Sequence, residues 1–268
     1  MSEFISSCQN FEEQRAIEAA AQIGCTALEI VDTVYGSGFP AWEPGYQELS
    51  FHNGYHGRMV GADGANVAVA LGLAPRTVEI TRTSGKSHDL NQLDGRGIDE
   101  SKSADWLVTQ MEAYKVFSAK EREMGRLAIT GTQPLFDEQF RLVGQKATEQ
   151  EYPSKEAEKV ALSVACGDLG VLYKPQGPFM GHQLYREIQG MPPADELPLD
   201  KLVSFQEGQV HLVNTYSYPL IEAERILATH RSEVTAYSEK VLDQLQRGEI
   251  TSWQQLLDQD AAFMRQYS

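Results

Sequence analysis

The stretch HNGYHGRMVGADGANVAVALGL, residues 52–73, sets the reading of the whole chain. It runs as a helix until Gly72 and Pro75 stop it, and it places His52 and His56 four residues apart. Residues so spaced lie one above the other on an α-helix, which predicts that both histidines share a face. The chain has only six histidines in 268 residues, so two on one turn demand a reason. Working outward, PRTVEITRTSGKSHDL (75–90) opens with proline at a plausible first helical position and closes on the doublet His88-Asp89. Helical spacing also runs through FEEQRAIEAAAQIGCTALEIVDTVY (11–35), DESKSADWLVTQMEAYKVF (99–117) and SAKEREMGRLAIT (118–130), the last with Ser118 as N-cap. SKEAEKVALSVACGDLGVLY (154–173) turns fully apolar around Val160–Val164 and predicts a buried helix. The tail from Leu220 reads as two amphipathic helices broken at RGEITS, where Gly248 precedes a fresh cap. YGSGFPAWEPGYQEL (35–49) reads as a loop. PLFDEQFRLVGQKATEQEYP (134–153) reads as an extended or loop excursion, and residues 195–219 carry turn signals with some alternation. The expectation is one all-α domain over residues 1–268, a helical bundle with extra C-terminal helices from about residue 176.

Composition limits the function classes. A formal net charge of −15 and a pI near 4.8 oppose non-specific binding to a phosphate backbone, so no nucleic-acid partner is expected. Cys8, Cys25 and Cys166 form no C-x-x-C pair and read as free thiols of a reducing cytoplasm. The opening MSEFISSCQNFEEQ has neither a basic start nor an apolar run, so no signal peptide is read there. No run of about 18 apolar residues is present, so no membrane span is expected.

Three familiar patterns fail on their own chemistry. TRTSGKS resembles the end of a phosphate-binding loop, but the glycine required five residues before Gly85 is Ile80, and the segment reads as helix. YGSGFPA has the glycines of a dinucleotide fingerprint, but Pro40 and AWEPG do not begin a helix. His52 and His56 have metalloprotease spacing, but Asn53 stands where the general-base glutamate belongs.

What remains is an ordered set. Imidazole nitrogens and carboxylate oxygens are ligands for zinc, manganese, iron, cobalt, nickel or magnesium. His56 and the His88-Asp89 doublet supply three. Asp168 follows an apolar run, where an unpaired carboxylate would cost several kcal/mol, and coordination would resolve that cost. A single histidine or helical aspartate is usually a surface or hydrogen-bonded residue; the joint H…HD…D order on successive helices is what points to a divalent metal site.

These residues resemble the HD-domain superfamily of metal-dependent phosphohydrolases over roughly residues 50–175. FHNGYHGRMV is similar to the Y-H-N-x-x-H-x-x-x-V run of many members, with Phe51 at the tyrosine position. GIDESKSADWL is similar to an E-x-x-S-A segment that follows their doublet. The resemblance implies a phosphodiesterase-like helical bundle with His56, His88, Asp89 and Asp168 as metal ligands. It also implies His52 as general acid, as in the cyclic-nucleotide phosphodiesterase branch. The activity implied is hydrolysis of a phosphoester in a small phosphorylated compound, a nucleotide among them, by a metal-activated water that Asp89 orients. Arg82 and Lys86, four apart beside the doublet, are candidate phosphate-facing cations. His182 and Glu187 are placed at the pocket mouth, and Glu100 reads as a first-turn charge. HD-type diiron oxygenases are the rival, but they use extra histidines before the last aspartate, and none occurs here from residue 90 to 181. A catalytically silent binding module is the other alternative, against which the four intact positions argue.

Overall fold

In the computed structural model, residues 2–36, 51–92, 94–95, 97–139, 141–192 and 196–267 are described, with side chains from Asn10 onward. The predicted loop at 35–49 lies outside them apart from Tyr35 and Gly36. The fold is all-α, with one small antiparallel hairpin. The N-terminal helices are α1 (Ser2–Tyr35), α2 (Gly54–Ala70), α3 (Pro75–Ser87), α4 (Ile98–Tyr114) and α5 (Ala119–Thr130). The hairpin β1 (Pro134–Phe136) and β2 (Leu142–Gln145) follows, then α6 (Lys155–Asp168). The C-terminal helices are α7 (Gly177–Ile188), α8 (Leu199–Thr215), α9 (Ile221–Leu227), α10 (Arg231–Gln246) and α11 (Trp253–Arg265).

Local chemistry sets most helix starts. Pro75 occupies the first position of α3, where its missing N–H costs nothing. Ser118 Oγ accepts from Glu121 N at 3.3 Å while the Glu121 carboxylate accepts from Ser118 N at 2.7 Å, a reciprocal cap for α5. Ser154 Oγ accepts from Ala157 N and opens α6. Asn53 does the same for α2, its Oδ1 accepting from Tyr55 N at 2.9 Å and His56 N at 3.2 Å. That cap corrects the expectation for His52: the helix begins at Gly54, so His52 precedes it and shares no helical face with His56. The ambiguous stretch 134–153 forms the hairpin and a short 3-10 turn at Lys146–Thr148. The tail from Leu220 holds three helices, not two. Its additional break falls before Arg231, whose guanidinium bonds Tyr216 O at 2.7 Å and stands 3.8 Å over the Tyr173 ring.

Helix α2 is packed on two sides by backbone. A Cβ on Gly85 of α3 would lie 2.8 Å from Gly61 Cα, and one on Gly61 would lie 2.8 Å from Arg82 O. On the α6 side, a Cβ on Gly167 would lie 2.7 Å from Val60 O and 2.8 Å from Gly64 N. These approaches are closer than any side chain tolerates, so only glycine permits them. Val60, Val160 and Val164 fill the remaining space with Met124 and Ala128 of α5. A second core, around Tyr173, Phe179, Met180, Leu202 and Trp253, joins α7 to the last helices.

Within that second core His182 forms a buried polar network. Its Nδ1 lies 2.7 Å from Asp260 Oδ2 and its Nε2 lies 3.1 Å from Gln206 Oε1. Gln206 Nε2 donates to Ser238 O, which turns Oε1 toward the ring, and Tyr237 OH donates to Asp260 Oδ1. Both ring nitrogens therefore face acceptor oxygens, an arrangement that favours the imidazolium form. Burial alone would lower its pKa, but Asp260 and Gln206 raise it.

Two outcomes follow from this packing. Gly85→Ala should destabilise the protein by about 1–3 kcal/mol, whereas Gly208→Ala, in α8 with open space around it, should stabilise by about 0.5–1 kcal/mol; urea unfolding of the pair checks both signs. For His182, a folded pKa above the unfolded value means stability that is complete below about pH 6.5 and lost as pH rises through the raised value. Asp260→Asn should remove about 3 kcal/mol at the acid end and flatten that pH dependence, as read by urea unfolding at stepped pH.

Candidate metal centre

Three helix ends meet at one point. His56 sits in the first turn of α2, His88 and Asp89 follow directly on Ser87 at the end of α3, and Asp168 is the last residue of α6. The glycine contacts described above set α2 between α3 and α6 and so bring these ends together. Because two of the three are helix C-termini, their unpaired carbonyls place negative partial charge around the site, which favours a cation. The doublet lies past the regular helix, so its two adjacent side chains can turn to the same place.

The inward atoms form a tight cage. His56 Nε2 lies 3.1 Å from Asp168 Oδ1 and 3.5 Å from Asp89 Oδ2. His88 Nε2 lies 3.0 Å from Asp89 Oδ2 and 3.3 Å from Asp168 Oδ1. Donors about 2.0–2.2 Å from one small ion are about 2.8–3.6 Å from their neighbours, and all four separations fall in that range. His88 Nε2 and Asp89 Oδ2 are both buried and, though close, do not hydrogen-bond each other or anything else. Two orphaned lone-pair atoms side by side are what a shared cation would satisfy. The buried cluster of His56, His88 and Asp89 could hold a metal ion. Asp168 falls outside that mutually close trio, yet its Oδ1 touches both imidazoles.

The outward atoms are fixed by partners. His88 Nδ1 donates to Gly85 O at 2.7 Å, which leaves Nε2 as the inward lone pair. Asp89 Oδ1 accepts from Gln92 Nε2 at 2.7 Å, and Gln92 is itself tied by its backbone N to the Tyr35 hydroxyl. Asp168 Oδ2 accepts from Gln145 Nε2, also at 2.7 Å. His56 is the exception, since its Nδ1 has no partner. With protons alone to balance the charge, burial would lower the pKa of His88, but Asp89 and Asp168 raise it well above the usual value. The aspartates respond in kind. Burial would raise both, and the neighbouring histidines bring Asp89 and Asp168 below the usual carboxylate range.

His52 stands beside the cage, its ring 6.0 Å from that of His56 and perpendicular to it. Glu187 of α7 holds it in place. The Glu187 carboxylate pairs with His52 Nδ1 and accepts from the backbone N of Phe51 at 3.0 Å and of His52 at 3.1 Å. Burial would lower the pKa of His52; Glu187, followed by Asp89, takes it up to about 9. Glu187 is depressed in turn, against its own burial.

The other nominated residues lie elsewhere. Arg82 bonds Glu79 at 3.1 Å. The Lys86 stem runs over Gly24 and Gly61, between α1 and α2, and Lys86 forms no ion pair among the described residues. Glu100 accepts from Gly97 N at 2.5 Å, the helix-start role read for it. His182 belongs to the network with Asp260 and not to this site. Gln92 and Gln145 escaped the sequence reading. Gln92 has a local signal, three residues after Asp89; Gln145 sits in the stretch whose structure was ambiguous.

No family model and no curated protein matches the chain. Among the described residues, no helix is long and apolar enough to cross a membrane.

A cation held only by the folded chain stabilises it by mass action. Adding Mn²⁺, Co²⁺ or Zn²⁺ should raise the melting temperature, by an amount equivalent to about 2.7 kcal/mol at a hundredfold excess over Kd. Asp89→Ala should abolish that rise. A wild-type melting curve that no divalent ion moves would contradict the assignment.

Proposed function

We propose that this chain is a divalent-metal-dependent phosphohydrolase that cleaves a phosphoester of a small phosphorylated compound, in the manner of the HD-domain superfamily it resembles. One observation carries the reading: an anchored histidine–carboxylate pair, His52 with Glu187, stands next to a four-residue cage suited to a small cation. His56, His88, Asp89 and Asp168 would hold the ion. When bound, the ion supplies a Lewis acid and lowers the pKa of water beside it.

The chain's own groups account for the rest of the reaction. Glu187 takes the Nδ1 side of His52, which leaves Nε2 to carry a deliverable proton. The two backbone N–H groups on Glu187 keep that carboxylate from swinging away. His52 then protonates the oxygen that leaves phosphorus, as a general acid must when the leaving group is a poor one. Burial of the cage beneath Phe51, whose ring lies 4.6 Å from that of His56, limits bulk water around the reacting atoms. A two-iron oxygenase reading is the weaker one, because no histidine beyond His56 and His88 joins the cage.

The test is hydrolysis of a panel of phosphomonoesters, nucleotides and phosphodiesters with several divalent ions added. Asp89→Ala should lose turnover and metal uptake together. His52→Ala should keep the metal and slow kcat by about 10²–10⁴-fold on alkoxide leaving groups, with a smaller loss on p-nitrophenyl esters. Loss of metal in His52→Ala would make that residue a ligand, and phosphate release by Asp89→Ala at the wild-type rate would overturn the site.

A further inference from the structure

The two carboxylates of the cage are not equally free at both oxygens. Asp89 turns Oδ2 inward, while its Oδ1 receives the Gln92 amide at 2.7 Å. Asp168 turns Oδ1 inward, while its Oδ2 receives the Gln145 amide at the same distance. Each outer oxygen therefore faces an N–H donor, and a second cation placed there would meet that donor's hydrogen.

The amides are themselves held. Gln145 is buried, ends β2, and its Nε2 also reaches Thr132 O at 3.3 Å. The neighbouring backbone is stitched to the connection after α5, with Lys146 N donating to Gln133 O and Ala147 N to Gly131 O, each at 2.9 Å. Gln92 is held at its backbone N by the hydroxyl of Tyr35, the last residue of α1. Two separate parts of the chain thus perform one task on two acids.

We propose that Gln92 and Gln145 are positioning residues that restrict Asp89 and Asp168 to one oxygen each, so that the cage takes a single small divalent cation and discriminates against Ca²⁺. This rests on reading the four-residue cage as a metal centre. Monodentate donors about 3 Å apart suit ions with bonds near 2.0–2.2 Å. Ca²⁺ needs six to eight oxygens at about 2.3–2.6 Å and commonly takes both oxygens of a carboxylate, which the amides deny it. Two-ion sites need a bridging group across about 3.5–4 Å, and the outer oxygen of each acid is turned to an amide donor instead. The small hairpin, otherwise an interruption in an all-helical chain, is then what delivers the Asp168 clamp.

The experiment is metal titration of the full chain as wild type, Gln145→Met and Gln92→Met, which keep side-chain length and remove the donor. Co²⁺ visible absorption, bound Co²⁺ per chain, and Mn²⁺ against Ca²⁺ competition are measured, with melting temperature as a folding control. Gln92 lies in a partly exposed turn, so its variant folds independently of any penalty at buried Gln145. Wild type should bind one Co²⁺ per chain. Each variant should bind it about 10–100-fold more weakly, with a shifted absorption spectrum and a smaller preference for Mn²⁺ over Ca²⁺. Wild-type affinity, spectrum and selectivity in both folded variants would overturn the clamp and leave the metal centre standing. Two ions per wild-type chain would overturn the single-ion restriction, and no uptake by wild type would overturn the metal reading and the clamp with it.

Discussion

Everything at the centre depends on how closely α2 approaches its neighbours. Helix axes usually pack 8–10 Å apart because side chains stand between them. Here Gly61 meets Gly85, and Gly64 meets Gly167, so backbone touches backbone on both sides of one helix. The approach sets α3 and α6 on either side of the start of α2. Imidazole and carboxylate side chains are short, and this close approach helps groups from three helices come within 3.5 Å of each other. The site is therefore a product of missing side chains as much as of those present.

Charge completes what packing begins. A buried Asp89 and a part-buried Asp168 would be costly alone, and the buried imidazoles of His56 and His88 cannot both donate inward without clashing over protons. The arrangement divides three of the four side chains into an outer atom with a fixed protein partner and an inner atom facing the cage. His88, Asp89 and Asp168 all follow this rule. Asp89 and Asp168 raise the His88 pKa well above the usual value and are lowered in turn; on the proposed reading a cation would take over that balance. On the proposed metal reading, uptake of an ion would displace the His88 proton, so affinity would rise with pH.

Much of the skeleton was legible from local rules. Pro75, Ser118 and Ser154 mark helix starts because each solves the problem of unpaired N–H groups by its own chemistry, and Gly248 marks a break between helices. Asp168 was legible because an acid after an apolar run calls for a partner. Other features depend on tertiary context and leave little trace. In sequence, Asn53 stands out only as the wrong residue for a protease, whereas in the fold it caps α2 and moves His52 off the helix. Arg82 and Lys86 have helical spacing, but rotation of α3 against α1 and α2 carries them elsewhere. The glycine contacts could have been sought as the recurrence of Gly57, Gly61 and Gly64 at helical spacing. Gln145 had no signal, since its partner is 23 residues away and its strand is four residues long.

The reach of Glu187 gives the chain a division of labour. The four cage residues all fall between residues 56 and 168, whereas the carboxylate gripping His52 arrives from α7, among the helices that follow. On the proposed reading, capture of an ion and delivery of a proton would fall to different portions of the polypeptide, joined by one carboxylate and two amide hydrogens. A small displacement of α7 would loosen the hold on His52 while leaving His56, His88, Asp89 and Asp168 in place, so the setting of this ring depends on helices outside the cage.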